Sequence, residues 1–259
     1  MTIFKGTAEY YAKYRPQYPE WVIKTLADKL HLDGKGSLLD VGCGTGTLAI
    51  PLSKYFDKVL AVDIDPEMIE EGRRIAKGLG IKNIEWLAKN GEELDNSIGT
   101  FKIITFGNSL HWFDMDKILK FAYSILEPNG AVVDVGGSSI WRYAPEAWQQ
   151  KTLEVIKKYL GEERRTIQGK YKTPSKKYSE YIQDAGFKDI QTWEFYFDSR
   201  LFKADEVINA QFSTSYASRE LLGKDADNFA NDLKAELLKI NPDNKFPDKT
   251  AGSVVIGWK

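Results

Sequence analysis

The segment from Asp40 to Gly46 places an acidic residue in front of a Gly-x-Gly-x-Gly turn, formed by Gly42, Gly44 and Gly46. Glycine lets the backbone turn sharply and lets a ligand approach without interference from a Cβ atom. The pattern differs from the Gly-x-Gly-x-x-Gly of dinucleotide-binding proteins, because Thr47 occupies the last position. A carboxylate beside the turn repels a pyrophosphate, but it suits a ligand with positively charged groups such as an ammonium or a sulfonium.

A second acidic residue, Asp63, stands at the end of the apolar run 59–62. A carboxylate at the end of the second strand of such a unit can accept hydrogen bonds from both hydroxyls of a ribose. A glycine turn alone is weak evidence for a ligand, whereas a glycine turn followed by a correctly placed acid is far more specific. The sequence therefore predicts a binding site for a nucleoside that carries positive charge.

His111 is the best candidate for acid–base chemistry. The chain has two histidines, and the other, His31, ends a predicted surface helix where a structural role is expected. His111 follows the predicted strand 101–106, at the carboxyl edge where ligands bind in sheets of this kind. It is predicted to act as a base or to orient the substrate, with Trp112 as an apolar wall beside the reacting group. The alternative, given equal weight, is that His111 and Trp112 only pack a cap against the core.

Alternating strand and helix patterns position these residues. Short apolar runs predict strands at 37–41, 58–62, 84–88, 101–106, 131–135, 190–197 and 253–258. Apolar residues at helical spacing predict helices at 21–30, 45–54, 66–79, 115–126, 175–185, 204–212 and 226–240. This alternation is typical of βαβ units. We therefore expect an α/β fold, with a Rossmann-like, doubly wound, mostly parallel seven-stranded sheet and a helical cap insertion.

The same patterns divide the chain into three predicted parts: an N-terminal segment, a core and a cap. An N-terminal helical segment at 1–34 is expected to close the ligand site. The Rossmann-like core is expected at 35–137, 175–197 and 251–259. Residues 138–174 and 198–250 do not follow the alternation of the core, and they are predicted to form a helical cap that binds the substrate.

Composition narrows the classes of function. The chain has 259 residues and 42% apolar residues, which suffices for a sizeable core. Its 36 lysines and arginines balance 37 acidic residues, so no charge pattern points to nucleic acid or to an anionic membrane. The single cysteine, Cys43, excludes an intramolecular disulfide and a Cys-rich metal site.

The expected partners follow from these exclusions. The N-terminus lacks an apolar leader, and no apolar run approaches the roughly 20 residues that span a bilayer. We therefore expect a cytoplasmic monomer or homodimer that acts on a small molecule, with no metal, no nucleic-acid partner and no membrane partner.

The motifs together resemble those of the class I S-adenosylmethionine-dependent methyltransferases. The resemblance extends over residues 35–136, with the strand–Asp–glycine-turn pattern, the second strand ending in Asp63, and later motifs at 92–94, 101–104 and 126–131. Segments 14–19 and 111–113 are similar to the small-molecule subgroup that includes trans-aconitate methyltransferases. Such a resemblance implies S-adenosylmethionine as the cofactor.

The resemblance also implies roles for matching residues. Asp63 would bind the ribose, Ile64 would pack on the adenine, and Asp40 would help to hold the ammonium group of the methionine moiety. Asn90 stands where the family often has an acid, and an amide carbonyl can accept the same hydrogen bond. The remaining cofactor contacts are expected from Gly42, Gly44 and Gly46 beneath the methionine moiety, Gly91 near the adenine, the backbone carbonyl of Asn108, and Tyr14 and Arg15 at the methionine carboxylate.

Some of these residues have structural alternatives. Asp65 is predicted to be the N-cap of the following helix rather than a second ribose ligand. Tyr14 has packing within an N-terminal helix as the alternative to its contact with the methionine carboxylate. Tyr18, Trp112 and Trp141 are the candidate substrate-binding residues. Arg142, Arg200 and Arg219 could bind a carboxylate of the substrate, as the trans-aconitate resemblance implies.

The predicted function is transfer of a methyl group from S-adenosylmethionine to an O, N or carboxylate acceptor of a small molecule. Two alternatives remain. A non-catalytic S-adenosylmethionine-binding protein would keep the cofactor site and use the cap to hold a partner. A nicotinamide-dependent dehydrogenase would share the strand and turn arrangement, but the glycine spacing and Asp40 argue against it.

Overall fold

A computed structural model describes residues 2–137, 139–197 and 200–259. Within these residues, the strands are β1 Ser37–Val41, β2 Lys58–Asp63, β3 Ile84–Ala88, β4 Phe101–Gly107, β5 Leu126–Gly137, β6 Arg165–Thr166, β7 Gly169–Lys170, β8 Lys188–Tyr196, β9 Leu201–Phe202, β10 Phe246–Pro247 and β11 Ala251–Trp258. The helices are α1 Ala8–Tyr14, α2 Glu20–Lys29, α3 Ala49–Leu52, α4 Pro66–Gly78, α5 Met115–Ile125, α6 Ala147–Leu160, α7 Tyr178–Asp184, α8 Ala204–Phe212, α9 Arg219–Leu222 and α10 Ala226–Ile240. Short 3-10 turns include Ser53–Tyr55, Gly91–Glu93 and Leu110–Trp112.

Seven of these strands form one sheet in the order β3-β2-β1-β4-β5-β11-β8, counted over the described part of the chain. Strands β1 to β5 pair in parallel with their neighbours, and β11 pairs antiparallel with β5. Strands β1, β2, β4 and β5 are buried along most of their length, because helices cover both faces of the sheet. This confirms the predicted Rossmann-like, mostly parallel seven-stranded fold.

Two predicted elements differ from the structure. The helix predicted at 45–54 is reduced to α3, followed by a 3-10 turn, because Gly46 has a φ of 86° and the glycine turn extends further than expected. The strand predicted at 131–135 lies within a longer strand, β5, which begins at Leu126 and pairs irregularly with β4 between Phe101 and Ile103. Asn129 accommodates this irregularity with a φ of 64°.

The chain divides into two compact units. The sheet unit comprises Gln17–Gly137, Thr173–Phe195 and Gly252–Lys259, and the helical unit comprises Met1–Pro16, Ser138–Lys172 and Tyr196–Ala251. The three-part division predicted from the sequence stays a prediction. In the structure, the predicted N-terminal segment 1–34 is shared between the two units, with its division after residue 16.

Each unit has its own apolar core. In the sheet unit, Phe106, Leu119 and Val132 are among the buried residues that join the sheet to α5 and α7. In the helical unit, α10 packs against α6 and α8. Phe229 of α10 lies against Phe212 of α8, with 6.0 Å between ring centroids. No helix among the described residues is both long enough and apolar enough to cross a membrane.

Candidate functional site

The glycine turn follows β1 in the sheet unit and is bonded to the end of β2. Gly42, Gly44 and Gly46 have φ values of 68°, 54° and 86°, which is the left-handed region that favours glycine. The backbone N–H groups of Gly42 and Cys43 donate to the carbonyl of Val62 at 2.8 and 3.0 Å. These bonds fix the turn at the carboxyl edge of the sheet.

Two of the three glycines are required by packing within the protein. A Cβ atom on Gly42 would lie 2.5 Å from the Cβ of Ser109, and one on Gly46 would lie 2.6 Å from the ring of Trp86. A Cβ atom on Gly72 of α4 would likewise lie 2.4 Å from the indole of Trp86. The spacing of Gly42 and Gly46 is therefore explained by side chains that the sequence alone did not connect to the turn. At Gly44 the reason is the backbone itself, whose φ of 54° lies in the region that favours glycine.

Asp63 ties the turn to the second strand. Its Oδ2 accepts a hydrogen bond from the N–H of Gly44 at 2.9 Å, and its Oδ1 accepts from the N–H of Asp65 at 2.8 Å. Burial raises the pKa of this carboxyl, and the two backbone donors oppose the rise. The next residue, Ile64, is 55% exposed although it is a large apolar side chain. An acid beside an exposed apolar surface is a suitable arrangement for a ribose joined to an adenine.

Asp65 is the N-cap of α4, as the sequence predicts. Its side chain accepts a hydrogen bond from the N–H of Glu67 at 2.9 Å, and Pro66 opens the helix. Its carboxylate is therefore engaged by the helix terminus.

Asp40 lies inside the sheet, paired in register with Thr105 of β4. Its Oδ1 accepts a hydrogen bond from the Thr105 hydroxyl at 2.7 Å, and its Oδ2 accepts from the N–H of Ala49 at 3.1 Å. Burial raises the pKa of Asp40 to about 7, and the nearby Asp63 charge adds to the rise. Asp40 thus braces β1, β4 and α3 from a buried position. The hydrogen bond between Thr105 and Asp40 was not predicted. The sequence feature that could have indicated it is a polar residue, Thr105, within the predicted strand 101–106.

Asn90 and Gly91 lie together after β3. Asn90 caps a short 3-10 turn, and its side-chain carbonyl accepts a hydrogen bond from the N–H of Glu92 at 3.1 Å. A Cβ on Gly91 would lie 2.8 Å from Val41 and 2.9 Å from the ring of Phe113. The structure thus gives both residues a local role, and their predicted contact with the adenine stays a prediction.

Asn108 follows β4 with a φ of 54° and is held by a small buried network. Its side-chain carbonyl accepts from the N–H of Gly137 at 2.8 Å, and its amide donates to the hydroxyl of Tyr18 at 3.1 Å. The Tyr18 hydroxyl in turn donates to the carbonyl of Val135 at 3.0 Å. Tyr18 is buried, so the structure uses it to position Asn108; its predicted contact with substrate is untested.

His111 and Trp112 lie in the 3-10 turn after β4, and both are half-buried. Their rings stand 4.6 Å apart with a tilt of 48° between planes. Just before them, the hydroxyl of Ser109 donates to the carbonyl of Val41 at 2.5 Å, which ties this turn to the end of β1. The sheet unit thus brings His111 to the edge that also carries the glycine turn.

The other predicted residues belong to the helical unit. Tyr14 ends α1 and stacks on Tyr10 at 6.3 Å between centroids. The guanidinium of Arg15 lies 5.0 Å from the ring of Tyr11. Trp141 meets Tyr216 edge to face at 6.2 Å. Their predicted contacts with cofactor and substrate stay predictions.

Two of the three arginines proposed for a substrate carboxylate already have acidic partners. Arg219 pairs with Asp227 at 2.5 Å, and Arg200 lies 3.7 Å from Glu206. Arg142 is exposed, and the described residues place no carboxylate within ion-pair distance of it.

The chemistry available at the sheet edge follows from these contacts. Two carboxyl groups with raised pKa values, the buried Asp40 and the half-buried Asp63, flank the glycine turn, and the N–H of Gly44 donates to Asp63. In strand order β2-β1-β4, the turn stands between β1 and β4, which is where the direction of strand connection changes. Open α/β sheets bind their ligands at this switch point. The site thus suits a nucleoside with a positively charged group better than it suits a pyrophosphate.

Comparison with known proteins agrees with this site. The model of the ubiE/COQ5 methyltransferase family matches residues 16–198. A protein of Dictyostelium discoideum that is named a methyltransferase is 26% identical over 184 residues, which cover 69% of this chain and 64% of that protein. The demethylmenaquinone methyltransferase of Lactococcus lactis is 28% identical over 188 residues, which cover 68% of this chain and 74% of that enzyme. This chain thus spans less than two thirds of the first relative and about three quarters of the second.

Solved structures share the fold at low sequence identity. The YcgJ protein of Bacillus subtilis superposes with a TM-score of 0.59 at 18% identity. The superposition covers 93% of this chain and 99% of that one. It shows that the arrangement of strands and helices is common to both chains.

Proposed function

Since the chain belongs to the ubiE/COQ5 methyltransferase family, we propose that it transfers the methyl group of S-adenosylmethionine to an O, N or carboxylate acceptor of a small molecule. The observation that carries this proposal is the bond between Asp63 and the N–H of Gly44, at the switch point of the sheet. It joins the ribose-binding acid and the glycine turn into one rigid element. S-adenosylmethionine is the cofactor, and when bound it supplies an activated methyl group.

The residues at the sheet edge fit this cofactor. Asp63 would accept hydrogen bonds from the ribose hydroxyls, for which each of its oxygens retains a lone pair beside its backbone donor. Ile64 offers exposed apolar surface to the adenine. The negative charge of Asp40 and Asp63 favours a cationic ligand, and a bound cation would lower the raised pKa values of both.

Asn108 would present its backbone carbonyl to the ammonium group. Its φ of 54° turns the chain away from the direction of β4, and the side-chain bonds to Gly137 and Tyr18 hold it there. This network positions one backbone oxygen without requiring the side chain to touch the cofactor.

The chain's part in the reaction is alignment and, where the acceptor needs it, removal of a proton. Holding the acceptor in line with the methyl group can contribute about 7–11 kcal/mol at best. His111 would accept the proton of a hydroxyl or ammonium acceptor, and Trp112 would exclude water beside it. A carboxylate acceptor needs no base, and His111 would then only orient it.

A second acceptor class is favoured by two relatives. The Lactococcus enzyme is named for demethylmenaquinone, and a Zymomonas mobilis relative is named a C-methyltransferase of ubiquinone and menaquinone biosynthesis. A carbon acceptor in a hydroxylated ring also benefits from a base, because removal of the hydroxyl proton makes the ring more nucleophilic. Product analysis with labelled cofactor separates the two classes.

The test compares cofactors and then products. Calorimetric titration of the purified chain with S-adenosylhomocysteine and with NAD should give binding for the first and none for the second; the reverse result would favour a dehydrogenase. Incubation with methyl-labelled cofactor and a metabolite pool should yield a labelled small molecule. Binding of S-adenosylhomocysteine without any labelled product would instead support a non-catalytic binding protein.

A further inference from the structure

The helical unit contains a half-buried arginine, Arg164, that forms no ion pair with the acids that the structure describes. The buried Nε of Arg164 makes no hydrogen bond, and among the described residues no carboxylate forms an ion pair with its guanidinium. The neighbouring acids are engaged elsewhere: Glu162 pairs with Lys157 at 3.0 Å, and Glu163 pairs with Lys170 at 2.6 Å. Burying a charge without a partner is costly, so such an arginine calls for an explanation.

Aromatic rings hold the guanidinium in a fixed orientation. Arg164 and Tyr171 flank the β6–β7 hairpin, and the N–H of Tyr171 donates to the carbonyl of Arg164 at 3.1 Å. The guanidinium carbon lies 3.9 Å from the centroid of the Tyr171 ring and 5.1 Å from that of Tyr216. Stacking covers the face of a guanidinium and leaves its in-plane N–H groups available to an acceptor.

Further positive charge and a second unsatisfied donor lie in the same unit. Burial is the main cause that lowers the pKa of Arg164, and the charges of Arg142 and Arg15 lower it further. Trp141, which packs on Tyr216, has a buried indole N–H that makes no hydrogen bond with the described residues. Arg164 and Trp141 thus both contact Tyr216, and each brings a buried N–H that makes no hydrogen bond with the described residues.

We propose that Arg164, supported by Arg142 and the indole N–H of Trp141, binds an oxyanion of the methyl acceptor, either a carboxylate or a phosphate monoester. The in-plane N–H groups of the guanidinium match two oxygens of such a group. The proposal rests on the proposed function, because it names the substrate class of the same enzyme. It assigns the anion to Arg164, whereas the sequence had pointed to Arg142, Arg200 and Arg219.

The probes are benzoate and phenyl phosphate, with benzamide as the neutral control, titrated calorimetrically into the full chain with and without saturating S-adenosylhomocysteine. Wild-type protein should bind at least one anion and should not bind benzamide measurably. The anion that binds more tightly identifies the group that the site prefers. Arg164→Gln should weaken binding of that anion about tenfold or more, because a charge-assisted hydrogen-bonding group is lost.

Two matched variants control this measurement. Arg164→Lys keeps the charge without the planar fork and should retain part of the affinity. Arg200→Gln removes an arginine of the same unit that already has an acidic neighbour, and it should bind like wild type. If Arg164→Gln does not fold, the variants Arg142→Gln and Trp141→Phe test the site instead. Each should weaken binding of the preferred anion about threefold or more.

The outcomes separate this proposal from the proposed function. If S-adenosylhomocysteine binds but neither anion does, or if the Arg164 and Arg142 variants bind the anion as wild type does, the oxyanion site is refuted and the methyltransferase assignment stands. Equal binding of benzamide and benzoate also refutes it. If S-adenosylhomocysteine itself does not bind, the proposed function fails first.

Discussion

The two units handle buried charge in opposite ways. In the sheet unit, Asp40 is a buried acid and Asp63 a half-buried one, and each accepts hydrogen bonds from two protein groups. In the helical unit, Arg164 is a half-buried cation that lies on aromatic rings, with no acid paired to it among the described residues. The sheet unit thus satisfies its acidic groups with its own hydrogen-bond donors, whereas the helical unit provides no acid for this cation among the described residues.

The largest expected effect tests whether the backbone of the glycine turn forms the cofactor site. Gly44 has a φ of 54°, a conformation that a β-branched residue adopts only under strain, and its N–H holds Asp63. Gly44→Val should therefore reduce binding of S-adenosylhomocysteine below detection in calorimetry. Gly44→Asn is the matched control, because asparagine tolerates a positive φ. If the folded valine variant binds normally, the turn does not contact the cofactor.

His111 is the next test at the same edge. If it removes a proton from the acceptor, His111→Ala should lower the turnover number about 10²–10⁴-fold with little change in cofactor affinity. The wild-type rate should also fall on acidification, because only neutral imidazole accepts a proton. The exposed His31, which has a φ of 49°, supplies the control variant His31→Asn, and this should keep full activity.

A packing role for His111 gives a different result. His111→Ala would then lower the melting temperature and keep both turnover and pH profile. A stable variant with normal turnover on the true acceptor contradicts both roles, and it would point to an acceptor that needs no deprotonation.

Asp134 is an acid of the sheet unit that departs from the pattern of Asp40 and Asp63. It is a fully buried acid in β5, and its Oδ2 has no hydrogen-bond partner among the described residues. Burial raises the pKa of its carboxyl from 3.8 to about 7. The folded protein therefore keeps a proton that the unfolded chain loses above its ordinary pKa. This contribution to stability is complete below about pH 4 and is lost as the pH rises through about 7.

The variant Asp134→Asn should remove this part of the pH dependence. Between pH 4 and pH 8 the wild-type free energy of unfolding should fall relative to that of the variant, by at most about 4 kcal/mol, since one unit of pKa corresponds to about 1.4 kcal/mol. Denaturant unfolding at several pH values measures it. Asp189→Asn, at an exposed site, should leave the profile unchanged. Parallel curves for wild type and Asp134→Asn would mean that the acid finds a partner in solution.

The sheet unit could be predicted largely from the sequence because its signals are local. Strand β2 contains the continuous apolar run 59–62, and Asp63 is identified by its place at the end of that run. The N-cap role of Asp65 is equally local, since it depends on the two residues that follow. Periodicity and turn chemistry act over a few residues, so they are visible without knowledge of the fold.

What could not be predicted depends on side chains that meet across the chain. The contact of Trp86 with both Gly46 and Gly72 joins β3, the glycine turn and α4. The surroundings of Arg164 join a hairpin to Tyr216, which lies far along the chain. Neither arrangement has a periodic pattern. The trans-aconitate resemblance indicated Arg142, Arg200 and Arg219 for a substrate carboxylate, and two of these, Arg200 and Arg219, have acidic neighbours.

Variants of Asp63 test whether its carboxylate binds the ribose of the cofactor in addition to holding the glycine turn through Gly44. Asp63→Ala should weaken binding of S-adenosylhomocysteine at least about tenfold, because two ribose hydroxyls lose a charged acceptor. Its bonds to Gly44 and Asp65 are lost as well. Asp63→Asn keeps an acceptor oxygen and should lose less. Unchanged affinity in both folded variants would show that the ribose binds elsewhere.

Tyr18→Phe should have the smallest effect on stability and on cofactor affinity. It distinguishes a tyrosine that positions Asn108 from one that contacts the substrate. The Tyr18 hydroxyl joins Asn108 to the carbonyl of Val135 in a buried place. Its removal should lower the free energy of unfolding by about 1 kcal/mol and cofactor affinity by less than about threefold, because Asn108 keeps its bond to Gly137. A substrate contact predicts the opposite pattern, with a raised KM for the acceptor and unchanged stability. Measuring unfolding and KM on the same preparation distinguishes a tyrosine that supports the cofactor edge from one that binds the acceptor.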